Sequence, residues 1–295
     1  MEPIKKVLRD ALTTTPDSTA KENTQSFLTT ALEDTGQSWT CRHCGATVQP
    51  VELTLFDEPR YITRRWCPCK GSQADRLTEH QADRDYQARQ LIVNAGLQAG
   101  KLSRFTFNNW DTRRNSPHSA KVLEAIEAYA ENVNRSGSNW LYICGPYGLG
   151  KTHLAVAALR KLAFDKMWTP HYVLWPAHCA KVQESWNGGG AGPTEGQLWA
   201  RMRRADILLI DDVDKRDATA WAMGKLYEVI DARYLKERPT ILTANHAPRA
   251  LAEMWDDKRK PEQVRDLGKA TLSRIMEQLC GAIEFHGEDQ RWERK

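Results

Sequence analysis

The stretch GPYGLGKTHLA, residues 145–155, constrains the fold of this chain more than any other feature. It fits the pattern G-x-x-x-x-G-K-[ST], in which backbone N–H groups of a loop surround the phosphates of a nucleotide. The preceding residues 139–144, NWLYIC, have the pattern of a short buried strand, and residues 151–164 are rich in good helix formers. A loop of this kind joins a strand to a helix, so the sequence predicts an α/β fold.

Each residue type in the loop has a physical role. Gly145, Gly148 and Gly150 can adopt positive φ and turn their N–H groups inward. Lys151 is predicted to reach the β- and γ-phosphates of ATP, and Thr152 to offer its hydroxyl to Mg²⁺. The complete predicted nucleotide-binding set is Gly145, Tyr147, Gly148, Leu149, Gly150, Lys151, Thr152 and His153.

Two further apolar stretches end in polar side chains. ADILLIDDVD, residues 205–214, is a strand pattern that ends in Asp211, and PTILTAN, residues 239–245, ends in Asn245. Since ligands of open α/β sheets bind at the carboxyl ends of the strands, we expect Asp211 to hold Mg²⁺ and Asn245 to contact the attacking water and the γ-phosphate. Asp212 is predicted to orient the water, or alternatively to cap a helix or support Asp211.

Four of the seven cysteines cluster near the start of the chain as C-x2-C, 22 residues, C-x-C. They are Cys41, Cys44, Cys67 and Cys69. VELTLF (51–56) and RYITRRW (60–66) alternate between apolar and polar residues, which predicts a hairpin that brings the two pairs together. Four thiolates in tetrahedral reach favour a structural Zn²⁺. Unrelated buried thiols, a redox pair, or His43 in place of one sulfur are the alternatives.

Composition excludes some classes of protein. An odd number of cysteines, of which Cys144, Cys179 and Cys280 lie singly in apolar patterns, argues against a disulfide framework. The chain contains no apolar run long enough for a membrane span, and its polar start is unlike a secretory signal, so we expect a soluble cytoplasmic protein without a membrane partner. A net charge of +4 permits a nucleic-acid partner.

The pattern along the chain predicts four regions. These are a helical arm over 1–36, a four-cysteine zinc ribbon over 37–72, a helical connector over 73–100 that stops near Gly96, and an ATPase domain over 101–295 in which strands and helices alternate.

Several motifs together resemble the AAA+ helicase-loader family of DnaC and DnaI, with the transposition helper IstB as kin. The resemblance covers about residue 95 to the end and is carried by GPYGLGKTHLA, ILLIDDVD, YEVIDARYLKERPTILTAN and LSRIMEQL. It implies an AAA+ core without a full lid domain, ATP hydrolysis, and self-assembly through the ATPase domain. It also implies a hexameric replicative DNA helicase, bound by the N-terminal region, and single-stranded DNA as partners.

The same resemblance implies roles for particular residues. Asn245 corresponds to sensor 1, Arg274 to an arginine finger that reaches a neighbouring subunit, and Arg291 to a sensor-2-like arginine. Aromatic residues of LQAGKLSRFTFNNWD are implied to lie near the adenine: Phe105, Phe107 or Trp110.

Two departures from the family pattern stand out. Asp212 occupies a position where most of these ATPases have Glu, which predicts slow hydrolysis. The segment MWDDKRKPEQVRDLGKATL before Arg274 is longer than usual, and it makes Arg265 a rival for the finger.

The segment ESWNGGGAGPTEGQLWARMRRAD, residues 184–206, is the candidate DNA-binding element. In the family this region lines the centre of the assembly. Its tryptophans and arginines suit single-stranded DNA, through stacking on bases and contacts to phosphates. They are Trp186, Trp199, Arg201, Arg203 and Arg204. In the alternative interpretation, Trp199 and Met202 face the core and the arginines form a solvated face.

The sequence therefore favours an ATP-dependent loader of a replicative DNA helicase. A transposition helper of the IstB kind is the first alternative, and the zinc ribbon favours the loader over it. A second alternative is a zinc-ribbon binding protein that is gated by nucleotide without significant turnover.

Overall fold

The computed structural model describes residues 32–33, 37–55, 58–111, 116–186, 192–215, 219–287 and 289. The helical arm predicted for 1–36 lies outside the described residues except for 32–33, and so does Arg291. The chain divides into two compact units, Met1–Asp83 and Arg84–Lys295.

The first unit contains short antiparallel strands. They are β1 (Leu32–Glu33), β2 (Trp39–Thr40), β3 (Thr47–Val48), β4 (Val51–Leu55) and β5 (Glu58–Arg64). Strand β2 pairs with β3, while β1, β5 and β4 form a three-stranded sheet in that order. The hairpin predicted between the cysteine pairs is confirmed, because β4 and β5 pair antiparallel from Val51↔Ile62 to Leu55↔Glu58.

Helix α1 (Lys70–Asn94) begins directly after the last clustered cysteine. It ends at the predicted glycine stop, where Gly96 has φ +73° and its N–H donates to Val93 O. Two short 3-10 helices, Gly100–Arg104 and Phe107–Asn109, follow. Both short helices belong to the larger unit.

Strands and helices alternate in the second unit, as the sequence predicts. The elements are α2 (Ser116–Asn132), β6 (Trp140–Cys144), α3 (Lys151–Lys166), β7 (Pro170–Leu174), α4 (Trp175–Trp186), α5 (Glu195–Arg204), β8 (Ile207–Asp211), α6 (Ala220–Tyr234), β9 (Thr240–Thr243), α7 (Pro248–Trp255), α8 (Glu262–Gln278) and β10 (Leu279–Glu284). The last described element is the strand β10.

Five strands form one sheet in the order β10-β6-β9-β8-β7, and every neighbouring pair is parallel. The carboxyl ends of β6, β9 and β8 therefore lie side by side at one edge. These ends lead into the phosphate loop, the Asn245 turn and the acidic turn, respectively. The fold brings the three predicted motifs to one place.

The apolar core lies on both faces of this sheet. Alternate strand residues point to opposite faces, so Ile143 and Leu209 join a cluster with α2 and α3, while Tyr142 and Leu208 join a cluster with α4 to α8. Strands buried on both faces have continuous apolar sequences, and this explains why WLYIC and ILLI lack polar alternation.

One buried arginine links α5 to the sheet. Arg233 on α6 is fully buried, and its guanidinium donates to neutral oxygens only: Met202 O, Ala205 O, Pro239 O and Thr240 Oγ1. Two of these acceptors are at the end of α5 and two are at the start of β9. A positive charge at a helix C-terminus also interacts favourably with the helix dipole.

Among the described residues, no helix is both long enough and apolar enough to cross a membrane.

Candidate functional site

The phosphate loop has the backbone that its glycines predict. Gly145, Gly148 and Gly150 all have positive φ, at +130°, +77° and +88°. Neighbouring groups also leave no room for a side chain, because a Cβ at Gly145 would overlap the Phe285 backbone and one at Gly150 would overlap the Trp110 ring. Glycine is thus favoured at these positions by the positive φ and by the close packing of neighbouring residues. Leu149 is buried, whereas Tyr147 is 53% exposed at the tip of the loop.

The Lys151 side chain folds back onto its own loop. Its Nζ donates to Gly145 O at 2.7 Å, to Pro146 O at 2.8 Å and to Asn245 Oδ1 at 3.2 Å. Burial lowers the pKa of Lys151, whereas the negative charge of nearby Asp212 opposes that shift. The buried Lys151 ammonium group has only neutral acceptors, so the charged oxygens of a phosphate would be stronger partners for it.

Asp211 lies at the centre of a hydroxyl cluster. Its carboxylate accepts hydrogen bonds from Thr152 Oγ1 at 2.9 Å, Thr243 Oγ1 at 2.5 Å and Tyr172 Oη at 3.2 Å. Burial raises the pKa of Asp211, and the hydroxyl donors partly offset this effect. A carboxylate and the Thr152 hydroxyl that touch each other fit a Mg²⁺ site, since hard oxygen donors are what this ion prefers. The two predicted magnesium ligands are therefore adjacent.

Asp212 has an unusual backbone and a cationic partner. Its φ is +57°, in the left-handed region that Asp tolerates better than most residues, and its N–H donates to Thr243 Oγ1 at 2.9 Å. The carboxylate is paired with Lys215. Lys215 Nζ also lies 4.9 Å from the centre of the Tyr147 ring. Lys215 thus balances the charge of Asp212 and lies next to the phosphate loop.

Asp214 is a site residue that the sequence did not single out. Its side chain is fully buried, and its Oδ2 accepts from Asn245 N, His246 N and His246 Nδ1 at 2.8, 3.1 and 2.6 Å. The available signal was a third acid in IDDVD directly after a buried strand. Thr243, Tyr172 and Lys215 were missed for a different reason, since they lie apart in the sequence and meet only through strand order.

The aromatic segment upstream of the core packs beside the phosphate loop. The Phe105 ring stacks on His153 at 4.7 Å, and the Trp110 ring meets His153 edge-on at 5.3 Å. His153 Nε2 bonds to Thr106 O at 2.9 Å, and burial lowers the pKa of His153. Phe105 and Trp110 are therefore close to the loop, and adenine binding by this segment remains a prediction.

Arg274 is held by residues of α6. Its Nε donates to Asp231 Oδ1 at 2.5 Å, its Nη2 donates to Tyr227 Oη at 2.8 Å, and its guanidinium lies over the rings of Tyr227 and Tyr234. The partner is thus Asp231 rather than the helix neighbour Glu277. The rival Arg265 lies 3.9 Å from Asp256. Both arginines are about one-quarter exposed.

The candidate DNA-binding segment divides into two faces. Trp199 and Met202 are buried, as the alternative interpretation predicts, so Trp199 cannot stack on a base. Trp186 is 51% exposed, but its Nε1 donates to Glu195 Oε2 at 2.7 Å. Arg201 and Arg204 are exposed on α5, and Arg203 is partly buried.

The four clustered cysteines meet the geometric test for zinc. All four Sγ atoms lie within 4.8 Å of one another, with Cys41–Cys69 at 3.7 Å and Cys44–Cys67 at 3.6 Å. Sulfur ligands about 2.3 Å from a tetrahedral ion are about 3.8 Å apart, so the cluster has the right size. His43 is a poorer candidate, because its Nε2 is 2.6 Å from Asp75 Oδ2.

The pKa values of two of these thiols shift in opposite directions. Burial alone would raise the pKa of Cys41, but the N–H groups of His43 and Cys44 and the neighbouring thiols lower that pKa to about 6. The backbone of Cys69 lowers the pKa of Cys67, but burial and the neighbouring thiols outweigh that effect and raise it. The Ser72 N–H in the first turn of α1 donates to Cys69 Sγ at 3.4 Å. Gly71 allows the close approach, because a Cβ there would overlap the His43 ring.

The sheet order, the phosphate loop after β6, the acids after β8 and the polar turn after β9 define an AAA+ P-loop ATPase domain. Residues 102–264 match the family of bacterial DnaA ATPase domains, and this match covers more than half of the 295 residues. The chain belongs to this family.

Individual relatives agree with the predicted resemblance to the DnaC and DnaI group. The replicative helicase loader DnaI of Bacillus subtilis is 22% identical over 177 residues, covering 59% of this chain and 55% of DnaI. An ATP-binding protein of an insertion sequence from Mycobacterium tuberculosis is 33% identical over 104 residues, covering 35% of this chain and 39% of that protein. The chain thus spans about half the length, or less, of these relatives.

A crystal structure of the DnaC helicase loader aligns with 19% identity and a TM-score of 0.49, covering 61% of this chain and 96% of the DnaC chain.

Proposed function

We propose that this protein is an ATPase that loads a hexameric replicative DNA helicase onto single-stranded DNA at the initiation of replication. The observation that carries the proposal is the meeting of two hydrogen-bonded pairs at the carboxyl ends of neighbouring strands, Lys151 with Asn245 and Thr152 with Asp211. The similarity to DnaI supports the helicase as the partner.

The proposed hydrolysis to ADP and phosphate follows from the same contacts. Mg²⁺, when held by Thr152 and Asp211, would neutralise charge on the phosphates. Lys151 exchanges the carbonyls of Gly145 and Pro146 for phosphate oxygens, which gives it a charged acceptor. Asp212 would polarise the attacking water, and Asn245 would hold that water in line with the γ-phosphate.

The remaining roles belong to the assembled form. Arg274 on α8 is proposed as the finger that reaches the nucleotide of a neighbouring copy, with Arg265 as the rival, and the predicted sensor-2-like role stays with Arg291. Arg201 and Arg204 are proposed to contact the phosphates of single-stranded DNA. The cysteine cluster is proposed to hold Zn²⁺ and to shape the helicase-binding region.

A loading assay tests the proposal. The protein, the replicative helicase of the same cell and circular single-stranded DNA are mixed with ATP and Mg²⁺, and helicase rings retained on the circles are counted. Lys151→Ala should abolish loading because the only side-chain cation of the phosphate loop is lost. Lys161→Ala is the matched control, since Lys161 lies on the same helix but pairs with Asp165 and Glu131. Equal loading by the parent and Lys151→Ala would contradict the proposal.

One comparison favours a second candidate, a transposition helper that binds duplex DNA. The insertion-sequence protein is the more identical of the two relatives, over a shorter stretch. The assay separates the candidates if duplex circles and the transposase encoded nearby replace the helicase and the single strand. Recruitment of the transposase without helicase loading would establish this second function.

A further inference from the structure

Asp214 has the contacts of a residue built to hold a turn rather than to meet solvent. Its carboxylate is fully buried, and one oxygen, Oδ2, accepts three hydrogen bonds from the turn that follows β9. A buried carboxylate is costly unless hydrogen bonds compensate it, so its retention here requires these donors.

The donors belong to Asn245 and His246. Two are consecutive backbone N–H groups, at 2.8 and 3.1 Å, and the third is the His246 ring at 2.6 Å. Two consecutive N–H groups that donate to one acceptor restrain the backbone torsion between them, which here is the ψ of Asn245. The backbone of Asn245 is therefore set by a side chain that follows the neighbouring strand β8.

Other contacts hold the ends of β8 and β9 together. Val213 N donates to Thr243 O at 3.0 Å, and Asp212 N donates to Thr243 Oγ1 at 2.9 Å. On the far side of the turn, Tyr142 Oη donates to His246 O at 2.8 Å. The acidic turn and the Asn245 turn thus form one hydrogen-bonded unit.

These hydrogen bonds hold the backbone from which the Asn245 side chain extends. Asn245 Oδ1 lies 3.2 Å from Lys151 Nζ, the group that is expected to bind the γ-phosphate. We propose that Asp214 is the positioning residue that aligns Asn245 with the γ-phosphate and thereby sets the preference of the site for ATP over ADP. This inference rests on the proposed ATPase function.

The test measures the ratio of the dissociation constants for ADP and for the non-hydrolysable analogue AMPPNP. Asp214→Ala should lower this preference for the triphosphate by about tenfold, the effect of losing one hydrogen bond to a charged group. Asn245→Ala should lower it by the same factor. The double variant should lose no more than Asn245→Ala alone, because both changes remove a single interaction.

Two further variants distinguish the positioning of Asn245 by Asp214 from a general loss of order in the turn after β9. Tyr142→Phe removes a hydrogen bond to the same turn but leaves Asp214 intact, and should keep the preference within about twofold. Asp214→Asn preserves shape and one acceptor oxygen while removing the charge; it should lower the preference about threefold, and it decides the matter if Asp214→Ala does not fold.

The outcomes are distinct. A parent protein that binds no AMPPNP overturns both the ATPase function and this inference. If the parent prefers AMPPNP and Asn245→Ala loses that preference, an unchanged ratio in a folded Asp214 variant overturns this inference alone. The inference is also overturned if Asn245→Ala keeps the parental preference for AMPPNP over ADP. It is overturned again if the double variant loses the sum of the two single losses.

Discussion

The two units of the chain reach a folded state by different means. In the larger unit, apolar side chains cover both faces of a parallel sheet, and residues such as Leu209 and Ile241 are fully buried. In the smaller unit, the apolar side chains that the structure describes as buried are only Cys41 and Cys67. Burial of apolar area stabilises the larger unit, whereas in the smaller unit we expect the four clustered cysteines to contribute through a bound Zn²⁺.

This difference has a general lesson. A small module buries little apolar surface to offset the loss of chain entropy, and metal ligation is one way in which such modules gain stability. The larger unit has an extensive apolar core on both faces of its sheet. The two units should therefore respond to different perturbations.

The largest expected effect is the loss of zinc from the cysteine cluster. Cys67→Ser should unfold the smaller unit, since the binding energy of a structural zinc site, on the order of 10 kcal/mol, is folding energy. Nucleotide binding by the larger unit should be nearly unchanged. Elemental analysis should find about one zinc per chain in the parent.

Cys280→Ser is the control for this substitution, because Cys280 lies on β10, away from the cluster in sequence, and a hydroxyl can still donate to Trp140 O. Iron or no metal in the parent protein would refute the zinc assignment.

An intermediate effect is expected from a cavity in the larger unit. Leu209→Ala on β8 should lower the free energy of unfolding of that unit by about 3 kcal/mol, because a fully buried leucine loses its transfer energy and leaves a void. The zinc content should stay at the parental value. Leu235→Ala, at a position that is 71% exposed, should change the free energy by less than about 0.5 kcal/mol. Zinc loss on Leu209→Ala would show that the units fold together.

The smallest effect concerns pH. Burial, with a further contribution from Lys181, lowers the pKa of His178 to about 4, and its Nε2 is buried without a partner among the described residues. An unfolded histidine titrates near 6.5, so between pH 6.5 and 4 the unfolded chain binds the proton more readily. Stability that is present above pH 6.5 is lost as the pH falls through this window, by about 2 kcal/mol at pH 5.

Urea unfolding of the larger unit at pH 7 and pH 5 measures this loss. His178→Phe should reduce the pH dependence, whereas His286→Gln, at an exposed position, should preserve it. The same pH dependence in the parent and in His178→Phe would assign the effect to other groups, such as His171, whose pKa burial also lowers to about 4.

The sequence predicts the local features of the site well. The phosphate loop, the strands before Asp211 and Asn245 and the cysteine hairpin are each encoded by neighbouring residues, and the structure has them. Contacts between residues that are far apart in the sequence could not be predicted from local patterns. Asp214 accepts a hydrogen bond from Asn245, and Arg274 donates one to Asp231. Each pair is brought together by the packing of elements that are separate in the sequence. The burial of Trp199 was left open because a helix with arginines and tryptophans fits a core and a DNA surface equally well.

Arg233 gives the larger unit a stiff mechanical connection. Its four acceptors belong to the last turn of α5, which carries the exposed arginines, and to the start of β9, which leads to Asn245. Arg238 adds to this connection, because its Nη1 donates to Arg203 O and Arg204 O. We therefore expect a shift of β9 along its axis to displace α5 as well. The helix that carries the exposed arginines and the strand that leads to Asn245 thus share the hydrogen bonds of one buried side chain.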